Sequence, residues 1–95
     1  MSKVVTKHPY ITQDERISGR SPIIVGTRTR VIDIVIEYEY LGRTIDEIID
    51  AHPYLSLAQV HDALSYYYEN REAIDGEIRE KVEGLRERYR SGESY

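Results

Sequence analysis

The 95-residue chain has no cysteine, no tryptophan and no phenylalanine. The first absence excludes disulfides and cysteine-ligated zinc. The other two leave the core to aliphatic side chains, chiefly twelve Ile and seven Val, with nine Tyr as the aromatic complement. Tyrosine suits a core boundary, where the ring packs and the hydroxyl reaches water. No apolar run approaches the roughly 20 residues that a membrane span needs. The opening MSKVVTKHPY lacks the apolar stretch of a signal peptide. A soluble, cytoplasmic protein is expected. Phosphate-binding glycine motifs are missing. His8, His52 and His61 have no ligand-like spacing, and no Ser or Thr has a recognisable base and orienting partner. Enzyme chemistry, a metal, a cofactor and a small-molecule substrate are therefore not expected.

Positive charge is short overall and unevenly placed. The net charge is −4, which argues against a general nucleic-acid binder. Residues 1–30, however, hold six Lys/Arg against two Asp/Glu, whereas residues 31–70 hold one Arg against eight acids. The front of the chain is basic and the middle is acidic.

The expected organisation is mainly α, with a short N-terminal β-ribbon, a three-helix helix-turn-helix (homeodomain-like) core and a C-terminal helix. Residues 1–9 are a tail. Residues 10–31 form the ribbon: Tyr10–Thr12, the β-branched Ile23–Val25, and a return strand from Arg28 to Val31. Such a ribbon is marginal alone, so it packs on the helices or pairs with another chain. Exchange of the ribbon between two subunits of a homodimer is the expected outcome. Residues 32–70 make the core. Val31, Ile34, Val35, Tyr38 and Leu41 recur on one helical face, closed by Gly42. Thr44-Ile45-Asp46-Glu47 and Ser56-Leu57-Ala58-Gln59 are capping boxes that start the next two helices. Pro53 ends the first of these at His52. Residues 71–90 carry the helical stripe Ile74, Ile78, Val82, Leu85 and Tyr89, as a fourth helix or an extension of the third. Residues 91–95 are a tail.

Three helices with a short turn before the third suggest major-groove docking of that third helix. With Leu64 in the core, steps of about 100° put Gln59, Asp62, Tyr66 and Glu69 on the outward face. Gln59 is the base-reading candidate and Tyr66 an exposed aromatic, with Tyr67 and Tyr68 flanking the core. Asp62 and Glu69 would repel phosphates, and no Lys or Arg occurs between Arg43 and Arg71. A solvated face on a packing helix is the competing interpretation. Arg20, Arg28 and Arg30 are the candidate phosphate contacts, or else they neutralise acidic helices. Ile78, Leu85, Arg86 and Tyr89 are the candidates for docking on a partner protein.

The stretch GRSPIIVGTRTRV resembles the Gly-Gly-x-Pro-Val-Ile-Arg-Gly-Thr-Arg-Ile-Pro-Val opening of the DUF433 family of small prokaryotic proteins. LGRTIDEIIDAHPYLSLAQVHDALSYYYENREAID is similar to its helical signature: a Gly-x-Ser/Thr-x-Glu-Glu-Ile helix, then Tyr-Pro-x-Leu-Thr, then a helix ending in repeated tyrosines. The likeness spans about residues 10–75, and departs at Arg20, Val25, Thr29 and Arg30. It implies a homeodomain-like fold and the antitoxin half of a toxin–antitoxin pair. Such antitoxins are VapB-like, bind operator DNA as dimers and wrap a PIN-type ribonuclease toxin with a C-terminal segment. A dimerisation or interaction module that does not bind DNA is the alternative.

Overall fold

A short helix with almost no polar face has to lie inside other elements, and α1 (Val31–Val35) does so. Val31, Ile32, Ile34 and Val35 are at most 3% exposed. In the computed structural model, residues 8–13 and 21–92 are described, with side chains through Glu87. The molecule is mainly helical, with a two-stranded antiparallel ribbon in front. In the ribbon, β1 (Ile11–Thr12) pairs with β2 (Ile23–Ile24), Ile11 opposite Ile24 and Thr12 opposite Ile23. The expected return strand reduces to one bridge, Ile23 to Arg30. Between them the chain turns tightly. Thr27 donates its backbone N–H to the Ile24 carbonyl at 3.0 Å, and Gly26 takes φ +80°, a conformation that favours glycine. The marginal ribbon is stabilised within its own chain, because Ile24 is fully buried in the helical core and Ile11 packs against it.

Past Val35 the helix widens. Ile36–Tyr40 is a π-helical turn, closed by Leu41 N–H donating to the Ile36 carbonyl at 2.9 Å. Each i→i+5 closure adds a residue to the turn and rotates the residues beyond it about the helix axis. Tyr38 (36% exposed) and Leu41 (60% exposed), which the 3–4 spacing assigned to the buried face, therefore meet solvent. Gly42, at φ +72°, ends the segment as expected.

Both capping boxes form. Thr44 Oγ1 accepts the Glu47 N–H at 3.1 Å while Glu47 Oε1 accepts the Thr44 N–H at 2.8 Å, and α2 (Ile45–Ala51) begins. Ser56 Oγ accepts the Gln59 N–H at 3.2 Å while Gln59 Oε1 accepts the Ser56 N–H at 2.8 Å, and α3 (Leu57–Glu69) begins. The turn between them buries Leu55. The arrangement of α1, α2, turn and α3 is the expected helix-turn-helix core. Val60, Ala63, Leu64 and Tyr67 face inward on α3, whereas Leu57, expected on that face, is 55% exposed.

Asn70 leaves helical geometry (φ −133°, ψ 41°), so α3 ends there and α4 (Arg71–Gly92) is a separate helix. The Asp75-Gly76 pair, a candidate break, lies within α4 without interrupting it. Ile74 and Ile78 enter the common core with Ile34, Ile48, Val60 and Leu64. Ser21 Oγ donates to Glu77 at 2.6 Å and Tyr67 Oη to Asp75 at 2.9 Å, which fastens the first turns of α4. Beyond Ile78 the helix is held more lightly: Lys81 lies 3.8 Å from Asp33 of α1, and every residue from Arg79 to Glu87 is exposed. Among the described residues, no helix is long and apolar enough to cross a membrane.

Candidate functional site

The two motifs that carried the resemblance, Gly26-Thr27-Arg28 and His52-Pro53-Tyr54-Leu55-Ser56, meet in space. They wall an open groove of about 790 Å³, completed by Thr29, by Asp33, Ile36 and Glu37 from α1 and the π-helical turn, and by Lys81 from α4. The Thr29 and Tyr54 hydroxyls share a hydrogen bond that pins the ribbon turn against the α2–α3 turn. Thr29 is buried, whereas Tyr54 is 58% exposed.

Both carboxylates of the groove are neutralised. Asp33 Oδ1 accepts from Arg30 Nη2 at 3.1 Å and lies 3.8 Å from Lys81 Nζ. Glu37 Oε1 accepts from Arg43 Nη1 at 3.2 Å, and its Oε2 lies 2.6 Å from His52 Nε2. Arg28 is exposed and has no charged partner among the described residues. The sequence therefore located one side chain of this site, Arg28, as a candidate anion contact. Arg30 is half-buried, its guanidinium taken by Asp33 through Nε at 3.3 Å and Nη2 at 3.1 Å. Arg20 lies outside the described residues. His52, Tyr54, Glu37 and Lys81 were not singled out. The His-Pro-Tyr turn next to a capping box was a usable signal for the first two, and nothing in the sequence signals Lys81.

The outward face of α3 differs from the expectation. Tyr66 packs against the core, and Tyr68, expected beside the core, is 48% exposed. Helical phase explains the exchange: Ala63 and Tyr67 centre the buried face, and Tyr66 turns toward the ribbon side. Here His8 lies across α3. Its Nδ1 is 2.9 Å from Asp62 and its Nε2 is 2.8 Å from Glu69, and its ring meets Tyr66 edge-on at 5.3 Å. The backbone N–H of Tyr10 donates to the other Asp62 oxygen at 2.9 Å. Carboxylates only accept, so donation from both ring nitrogens at once requires the imidazolium form. Burial lowers the His8 pKa, but the hydrogen bonds and charges of Glu69 and Asp62 outweigh it, and the pKa ends above the ordinary 6.5. Asp62 and Tyr66 are thus covered by residues 8–10 of the same chain. The Gln59 side-chain oxygen is engaged in its capping box. The Gln59 oxygen is held by its cap and Tyr66 by His8, and His8, assigned to a loose tail, is held in place.

Of the docking candidates, Ile78 is 3% exposed and belongs to the core, so it is not available to a partner. Leu85 (43%) and Val82 (42%) are exposed. Arg86 pairs with Glu83 at 3.5 Å across an exposed turn. The side chain of Tyr89 lies outside the described residues. Among the described residues, no three His, Cys, Asp or Glu are grouped to hold a metal.

A small ribbon-fronted helix-turn-helix protein whose terminal helix runs on past the core is the class these features define. The family described as "Protein of unknown function (DUF433)" matches residues 11–67, more than half of the chain, and the chain belongs to that family. A crystal structure of a DUF433 member from Anabaena variabilis ATCC 29413 is similar, with a TM-score of 0.66 and 29% identity over 76% of this chain and 69% of that one. No curated protein matches.

Proposed function

We propose that the chain is the antitoxin-like half of a toxin–antitoxin pair, a protein-binding module whose docking element is the outer half of α4. The observation that carries this is the exposed pair Val82 and Leu85, which prolongs the buried line of Ile74 and Ile78 past the edge of the core. Tyr89 follows at the same spacing. An amphipathic helix that has outrun its own core has the form that lies in a partner's groove. Arg86, in a weak exposed pair, exchanges partners at little cost, and reaches carboxylates of a metal-dependent PIN-type ribonuclease. The toxin as partner comes from the family resemblance.

Operator binding, in the same proposal, falls to the Arg28 turn with Arg20, and not to α3. The exposed acids Asp46, Glu47 and Asp50 on α2 limit it to a salt-sensitive contribution. Homodimerisation is tested separately, by light scattering of the full chain.

The experiment is co-expression of the full chain with the product of the adjacent gene, followed by co-purification. The double variant Val82→Asp, Leu85→Asp is expected to lose the partner while keeping the wild-type circular dichroism and melting curve. Equal recovery of the partner with the double variant overturns the docking element. No retardation of the upstream DNA at low salt, with or without the neighbour, removes the operator arm and leaves the non-DNA-binding alternative.

A further inference from the structure

We propose that the groove between the Gly26-Thr27-Arg28 turn and the His52-Pro53-Tyr54 turn binds a small phosphate-bearing ligand with a planar ring, of the size and chemistry of a nucleoside monophosphate. The volume, about 790 Å³, lies in the range of small-molecule sites. Charge supports an anion. The chain as a whole is net −4, whereas the groove is lined by Arg28 and Lys81 against Asp33 and Glu37, and Arg30 and Arg43 pair with those two carboxylates. Each of those two carboxylates is held by two partners, which leaves the Arg28 guanidinium facing solvent at the mouth. A planar guanidinium with paired donors matches a phosphate better than any other side chain does. Lys81, 39% exposed and 3.8 Å from Asp33, has donor capacity to spare for the same anion.

The rest of the wall suits a ring. Tyr54 is 58% exposed, with one edge-to-face contact to His52 at 5.9 Å, and its aromatic surface is available for stacking. The half-buried Ile36 adds an apolar patch. The Tyr54 hydroxyl, bonded to Thr29 and 3.4 Å from His52 Nδ1, sits where a ligand hydroxyl or phosphate oxygen joins an existing network. A single phosphate at Arg28 stays within the screening distance of the groove cations, so it needs no extended polyanion to be held.

Titration of the ¹⁵N-labelled full chain tests this, with adenosine monophosphate, inorganic phosphate, or sodium chloride at matched ionic strength. The expected result is saturable shifts at Gly26, Thr27, Thr29 and Tyr54 with the nucleotide, weaker saturation with phosphate, and none with chloride. Arg28→Ala is expected to weaken nucleotide binding about tenfold or more, with Lys81→Ala weakening it less. Arg86→Ala, distant on α4, leaves it unchanged. An unaltered melting curve of Arg28→Ala separates lost binding from lost fold. Shifts that do not saturate, or an equal loss with Arg86→Ala, overturn the site. Binding of a single-stranded oligonucleotide at these residues without binding of the monophosphate overturns the small-ligand assignment. Because α4 docking is read by co-purification and the groove by titration, either can fail alone.

Discussion

α1 and the outer half of α4 are helices held in opposite ways. α1 is five residues long, too short to persist alone, and exists because four of its side chains are buried, chiefly against α3. From Arg79 onward α4 is the reverse: a regular helix with every described side chain exposed. The family match stops at Tyr67, before α4 begins at Arg71. The part that defines the fold and the part proposed to choose a partner are therefore physically separate. Burial holds the first, and the proposed recognition falls to the second.

Substitutions can break that separation if it is wrong. The largest effect is expected in the core: Leu64→Ala should cost roughly 2–5 kcal/mol in urea unfolding, through lost burial and the cavity left behind. A near-neutral result would mean that α3 does not seat that face inward. Next comes the entry to α3, where Ser56→Ala should cost about 1 kcal/mol by removing one side of the capping box. Urea midpoints of Ser56→Ala and Ser56→Thr, the latter expected near wild type, separate capping from packing. At the other pole, Leu85→Ala should change stability by less than about 0.5 kcal/mol while weakening partner capture. A loss like that of Leu64→Ala would place α4's outer half inside the cooperative unit.

The ribbon lies between these poles and is sharpened by pH. The folded pKa of His8 lies above its ordinary 6.5. Its contribution is therefore complete below about pH 6.5 and disappears as pH rises through the folded value. Unfolding midpoints measured across that window should fall for the wild type. His8→Gln should flatten that step, leaving only the slope from other groups. Equal slopes in the two proteins would show that the contact with Asp62 and Glu69 does not contribute.

What could be read in the chain beforehand divides along the same physical line. Local chemistry was legible: two capping boxes, Gly42 at a positive φ and Pro53 after α2 each act within a few residues. The helical stripe was legible only where the helix kept its ordinary period. The π-helical turn at Ile36–Tyr40 moved Tyr38 and Leu41 off the buried face, and no residue in IEYEY announces an i→i+5 closure. Contacts distant in sequence were not legible. His8 meets partners 54 and 61 positions away, and the groove draws on four separate segments. Arg28 was recognised as a candidate because charge is visible one residue at a time. The company it keeps with Tyr54, His52 and Lys81 is a property of the fold.

Asn70 has one more consequence. If that residue continued the helix, α3 and α4 would become one straight rod, and Ile74 and Ile78 would be carried out into solvent with the rest of the stripe. A single pair of backbone angles thus decides which apolar side chains are shared with the body of the molecule and which stay exposed along α4. The break acts as a selector between inside and outside.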